Sequence, residues 1–136
     1  MVRLYPSCWL WGEAFSPSTA EKQTGIVFDA KNEPGEIARS GRYRNQPTPH
    51  GSATIKFEDD LSSCDPLTTQ SLNVLAESIP AFREAGATTI VIHCDVAYRD
   101  QCNLEMSPGF LAAIARLGVP LTLTCYQDDN LRDNGV

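Results

Sequence analysis

His93 and Asp95 stand two apart in a run where Ile90, Ile92, Cys94 and Val96 alternate with Thr89, Val91, His93 and Asp95. A period of two is that of a strand, so the imidazole and the carboxylate share one face, opposite the cysteine. A histidine bonded to a carboxylate is half of a general acid–base arrangement, and neutral imidazole with Asp could begin a metal site. The chain has one other histidine, His50, and no HExxH or HxH spacing, so a metal would have to draw on Cys102, Glu105 or residues that the spacing does not place. Polar residues on a solvated sheet face are the simpler account.

Arg39, Arg42 and Arg44 flank Tyr43, and guanidinium groups present a planar fork of donors to phosphate or carboxylate. Together with His93 they form a candidate site for an anionic ligand. Gly35, Gly41 and Gly51 nearby form neither GxGxxG nor a Walker loop, and no GxSxG elbow exists. A charge cluster on a loop is more often simply solvated, and that is the plainer account of the arginines.

Trp9 and Trp11 share one strand face with Tyr5 and Ser7, opposite Cys8 and Leu10. If Cys8 and Leu10 face a core, both indoles lie on an open face with His93, Asp95, Thr122, Thr124 and Tyr126. That would make an aromatic and polar patch of the kind that anchors protein interfaces. The opposite parity would put both tryptophans in the core.

Five cysteines, Cys8, Cys64, Cys94, Cys102 and Cys125, form an odd set without CxxC or CxxxC spacing, which argues against a disulfide framework and a zinc knuckle. Cys8, Cys94 and Cys125 fall at core parity and are expected to pack as small hydrophobes. Cys64 precedes Asp65-Pro66, where a helix start could activate a thiolate.

The elements that must position these groups are marked by punctuation. Ser16-Pro17 to Gly25, Asp65-Pro66 to Gly86 and Ser107-Pro108 to Gly118 each open with a capping residue and proline and close with glycine, predicting three helices. In the second, Leu67, Leu72, Leu75, Ile79 and Phe82 follow helical spacing and leave Gln70, Asn73, Glu77 and Arg83 toward water, with Pro80 marking a kink or a restart. The third is expected to bury Phe110, Leu111, Ile114 and Leu117. Strands are predicted over Arg3 to Trp11, Ala53 to Phe57, Thr89 to Val96, Asn103 to Met106 and Leu121 to Tyr126.

The order becomes β-α-β-α-β-β-α-β. It predicts an α+β two-layer sandwich, with an antiparallel or mixed sheet of about five strands and helices on one face. Residues 29–51 form a long loop, a functional or mobile segment or one hiding a strand around Ile37 to Tyr43, and residues 128–136 are expected to fray. At 136 residues the chain is expected to be a single domain.

Seventeen acids against eleven bases give a net charge of −6, and residues 58–136 hold twelve of the acids with four bases. So acidic a chain is poorly suited to nucleic acid and better suited to a basic partner. The N-terminus lacks the apolar core of a secretory signal and no run is long enough to span a membrane, so a reduced cytoplasmic protein is expected.

The strand ending in Trp11-Gly12, the Ser16-Pro17 helix start, the basic Gly- and Pro-rich loop and the long amphipathic helix set a pattern. With Leu-x-Met-Ser-Pro-x-Phe-Leu at 104–111 and Leu-Gly-x-Pro-Leu-x-Leu at 117–123, it resembles the bacterial domain of unknown function 4279 family. The resemblance spans most of the chain and implies a small soluble bacterial domain. It brings no reaction and no catalytic residues.

The sequence thus points to a non-catalytic protein-binding domain without cofactor or metal. In its sharpest form it is an immunity protein that occludes a basic toxin, by analogy of size and charge with small acidic bacterial domains. Trp9, Trp11 and Tyr126 would anchor the partner, while Asp59, Asp60, Asp95, Asp100, Glu105, Asp128 and Asp129 would supply complementarity. The alternative is a small enzyme or anion-binding domain using His93, Asp95 and the arginine loop in one pocket. A homodimer through the open face is a third arrangement.

Overall fold

Alternation along Val2–Gly12 is realised as the first strand, β1, with Leu4, Pro6, Cys8 and Leu10 buried and Tyr5, Trp9 and Trp11 exposed. The computed structural model describes residues 1–58 and 65–131. Asp59, Asp60, Cys64 and residues 132–136 lie outside the described residues.

The remaining elements are α1 (Pro17–Thr24), β2 (Ala30–Asn32), β3 (Gly51–Lys56), α2 (Thr69–Glu84), β4 (Thr89–Tyr98), α3 (Pro108–Leu117) and β5 (Leu121–Gln127). They build an α+β fold around one five-stranded mixed sheet in the order β2-β3-β1-β4-β5. All neighbours are antiparallel except β4 and β5, which run parallel with α3 between them in sequence. Cys8, Leu10, Ala53, Ile55, Ile90 and Ile92 meet Phe15, Phe28, Leu67, Leu72, Leu75, Ile79, Phe82 and Phe110 in the main core. The helices therefore cover one face of the sheet, and the parity of Cys8 settles that Trp9 and Trp11 are on the other.

The caps of α1 and α3 are those expected. Ser16 accepts from the Thr19 amide and Ser107 from the Phe110 amide, Pro17 and Pro108 open the helices, and Gly25 and Gly118 take left-handed exits. The start of α2 is different. Thr68, not Asp65, is its cap, accepting from the Ser71 amide at 3.1 Å. Pro80 neither ends nor restarts α2, which continues through it to Glu84.

Other departures share a cause in long-range packing. Asn103 to Met106 forms no strand; Cys102 and Leu104 instead pack on a second cluster of Leu4, Cys94 and Val96. The extra strand falls at Ala30–Asn32, where it lengthens the sheet beside β3. The remainder of the 29–51 loop is ordered by backbone pairing, with bridges from Ile37 to Pro47 and from Ala38 to Arg44. On α3, Leu111 is exposed while Phe110 is buried. Cys125 is also exposed: β5 is an edge strand, and of its residues Leu121 is the one packed on the main core. Beyond β5, the Asp128 amide donates to Tyr98 and Leu131 is buried, so residues 128–131 are held in place.

Candidate functional site

The uncovered sheet face gathers the aromatic residues. In the register of β1 with β4, Tyr5 lies opposite Asp95, Ser7 opposite His93 and Trp9 opposite Val91. On the other side of β4, His93 pairs with Thr122, Asp95 with Thr124 and Ala97 with Tyr126. Directly paired residues point to the same side of a sheet, so Trp9, Trp11, Tyr5, His93, Asp95 and Tyr126 form one surface. Trp9 is 40% and Trp11 39% exposed, high for side chains of that size.

His93 is the fixed point of this surface. Its ring stacks on the Trp9 indole with centroids 4.2 Å apart, its Nε2 lies 2.9 Å from Asp95 Oδ1, and only 7% of the residue is exposed. The paired His and Asp of the sequence are thus real neighbours. Their arrangement props an indole and offers an incoming substrate little access to the imidazole.

Tyr126 marks the acidic end. Its phenol is pushed above its ordinary value, first by partial desolvation and then by Tyr5, Asp95 and Asp128 nearby. Asp129 follows directly and accepts from Gln127. Asp100 is exposed just beyond β4. Arg3 and Lys56 also rise from this face, opposite Ala97 and Ser7 respectively, and exposed Arg99 precedes Asp100, so bases are interleaved with the acids as far as the row of Tyr126, and Asp128 and Asp129 follow beyond it. Glu105 is exposed on the segment whose Cys102 and Leu104 pack over the helix side of the sheet, away from this surface.

The arginine loop makes a separate feature. A cleft of about 530 Å³ is lined by Lys31, Asn32, Glu36, Arg39, Arg42, Tyr43 and His50, with Ile37, Ala38, Ser40 and Thr48 completing it. Arg42 lies over the Tyr43 ring at 5.5 Å, and His50 meets the same ring edge-on. Lys31 is ion-paired with Glu21. Arg44 is not in the lining, and His93 is three strand spacings from β2, about 14 Å. One pocket holding both His93 and the arginines is therefore not formed, which removes the geometry the alternative reading required. Sequence reasoning missed the contributions of His50 and Lys31, which are brought in by the pairing of β2 with β3.

Among the described residues no three His, Cys, Asp or Glu side chains converge as metal ligands would. No helix among them is long and apolar enough to cross a membrane. No protein-family model matches this chain, and neither a curated protein nor a solved structure matches it. The resemblance to the domain of unknown function 4279 family stands as an expectation only.

Proposed function

We propose that the chain is a non-catalytic binding domain that receives a basic protein on its open sheet face, and that its sharpest form is an immunity protein occluding a toxin. The observation that carries this reading is the pair of half-exposed tryptophans on the uncovered face, one of them held rigid against His93. Large aromatic residues fixed before binding lose little entropy when covered, and exposed aromatic patches mark interfaces. The acidic groups Asp95, Asp100, Asp128 and Asp129 border the same surface toward β5, which favours a basic partner and fast association. The toxin reading adds size and net charge to this and depends on the partner's identity.

The test is an affinity capture from source-cell lysate at low and high salt, run in parallel with a chain carrying both Trp9→Ala and Trp11→Ala. A single basic polypeptide retained by the native chain, weakened by salt and absent from the variant supports the proposal. Equal retention by both chains would remove the open face as the site.

One observation favours a second reading, a small anionic ligand in the cleft of Arg39, Arg42 and His50. Stabilisation of the chain by inorganic phosphate, lost in Arg39→Ala/Arg42→Ala, would support it.

A further inference from the structure

Cys102 and Cys125 are 23 residues apart and belong to different parts of the fold, yet their sulfurs lie 3.7 Å from each other. Cys125 is carried on the edge strand β5 and is exposed; Cys102 is half-buried. The segment holding Cys102 is drawn over the sheet because Leu104 and the cysteine itself pack on Leu4, Cys94 and Val96. By contrast Cys8 and Cys94 are fully buried in the two core clusters.

We propose that Cys102 and Cys125 form a dithiol site for hydroperoxide-class oxidants, closing reversibly to an intrachain disulfide. The sulfurs lie 3.7 Å apart, and the proposal requires them to close to the bond length of about 2.05 Å. The exposed Cys125 meets the oxidant first. Its thiolate attacks the O–O bond of hydrogen peroxide, which leaves a sulfenic acid on Cys125 and one water. The Cys102 thiolate then attacks that sulfur, forms the S–S bond and expels the hydroxyl as a second water. Two thiols are oxidised by two electrons and one peroxide is reduced to two waters. A small dithiol such as dithiothreitol reverses the step by exchange and leaves as its own cyclic disulfide.

The neighbouring sulfur is what separates this pair from an ordinary surface thiol. Capture of the sulfenic acid is intramolecular and so outruns further oxidation to the sulfinic state. The bond would close a ring around α3 and tie the connection after β4 to the strand bearing Tyr126.

The experiment treats the 136-residue chain with a small excess of hydrogen peroxide, alkylates the remaining thiols under denaturing conditions and maps the peptides by mass. The expected result is a mass loss of about 2 Da, three alkylated cysteines instead of five, and one linked peptide pair joining Cys102 to Cys125. Dithiothreitol should restore all five. Cys125→Ser, a change at an exposed position that the fold tolerates, should abolish the linkage. Five alkylated cysteines after oxidation, oxygen added to Cys125 without linkage, a bond to Cys64, or linkage only between chains would each overturn the proposal.

Discussion

The indole of Trp9 lies nearly parallel to the imidazole of His93, 4.2 Å between ring centroids and 18° between planes, while His93 Nε2 is held by Asp95. β1 and β4 are antiparallel here, and Trp9 and His93 are diagonal neighbours across the ladder. Diagonal neighbours lie within reach of aromatic side chains. A chain of three residues therefore fixes one of the two exposed tryptophans. The histidine that first suggests catalysis backs an exposed indole.

Replacing both Trp9 and Trp11 with Ala should weaken partner binding by several kcal/mol in order of magnitude. The stack of Trp9 on His93 contributes about 1 kcal/mol to the fold, so thermal melting followed by circular dichroism should stay cooperative. A variant that no longer melts cooperatively would show that the tryptophans serve the core.

Asp65 reaches across the fold to the start of α3. Its carboxylate accepts from the Ser107 amide and from the Ser107 hydroxyl, each at 2.7 Å. Ser107 in turn caps the Phe110 amide. Asp65→Ala should cost about 1–2 kcal/mol in urea denaturation. Ser107→Ala in the Asp65→Ala background should add less than it costs alone, since the two act as one cap.

Gly12 ends β1 where the chain after α2 passes close by. A Cβ there would sit 2.2 Å from the Gly86 carbonyl oxygen, well inside contact distance, and the obstacle is backbone. Gly12→Ala should destabilise the chain by about 3 kcal/mol or more. Gly25→Ala meets no atom and should cost only the strain of its left-handed φ, about 1 kcal/mol.

Cys8 is fully buried, and burial pushes its thiol from an ordinary 9.0 to about 12. Below pH 9 the folded and unfolded chains both keep the proton, and the contribution is complete. Above it the unfolded chain releases the proton first, so stability falls by about 1.4 kcal/mol per pH unit from this group. The loss continues until the folded thiol itself ionises near 12. Unfolding free energies from denaturation curves at stepped alkaline pH should fall more steeply with pH for the native chain than for Cys8→Ala.

Local signals decided much of the architecture. Ser16-Pro17 with Gly25, and Ser107-Pro108 with Gly118, each satisfy the unpaired amides and carbonyls of their own helix, so both ends are written within a dozen residues. The alternation through Ile90, Ile92, Cys94 and Val96 likewise marks a half-buried strand, and the α+β class follows from the order of such segments.

What only the tertiary structure decided is non-local. A period of two divides β1 into faces without saying which one meets the helices, and the packing of Cys8 and Leu10 against α2 chose the tryptophans for the open side. The same alternation in β5 promised a buried Cys125, but β5 is an edge strand and leaves it exposed. Asp65 has the chemistry of a cap, yet the helix it serves is α3, not the one it precedes. The contact of Cys102 with Cys125 and the gathering of Lys31 and His50 around the arginine cleft have no local signature. Sequence spacing governs neighbours along a helix or strand; which elements meet is fixed by how the whole chain buries its apolar surface.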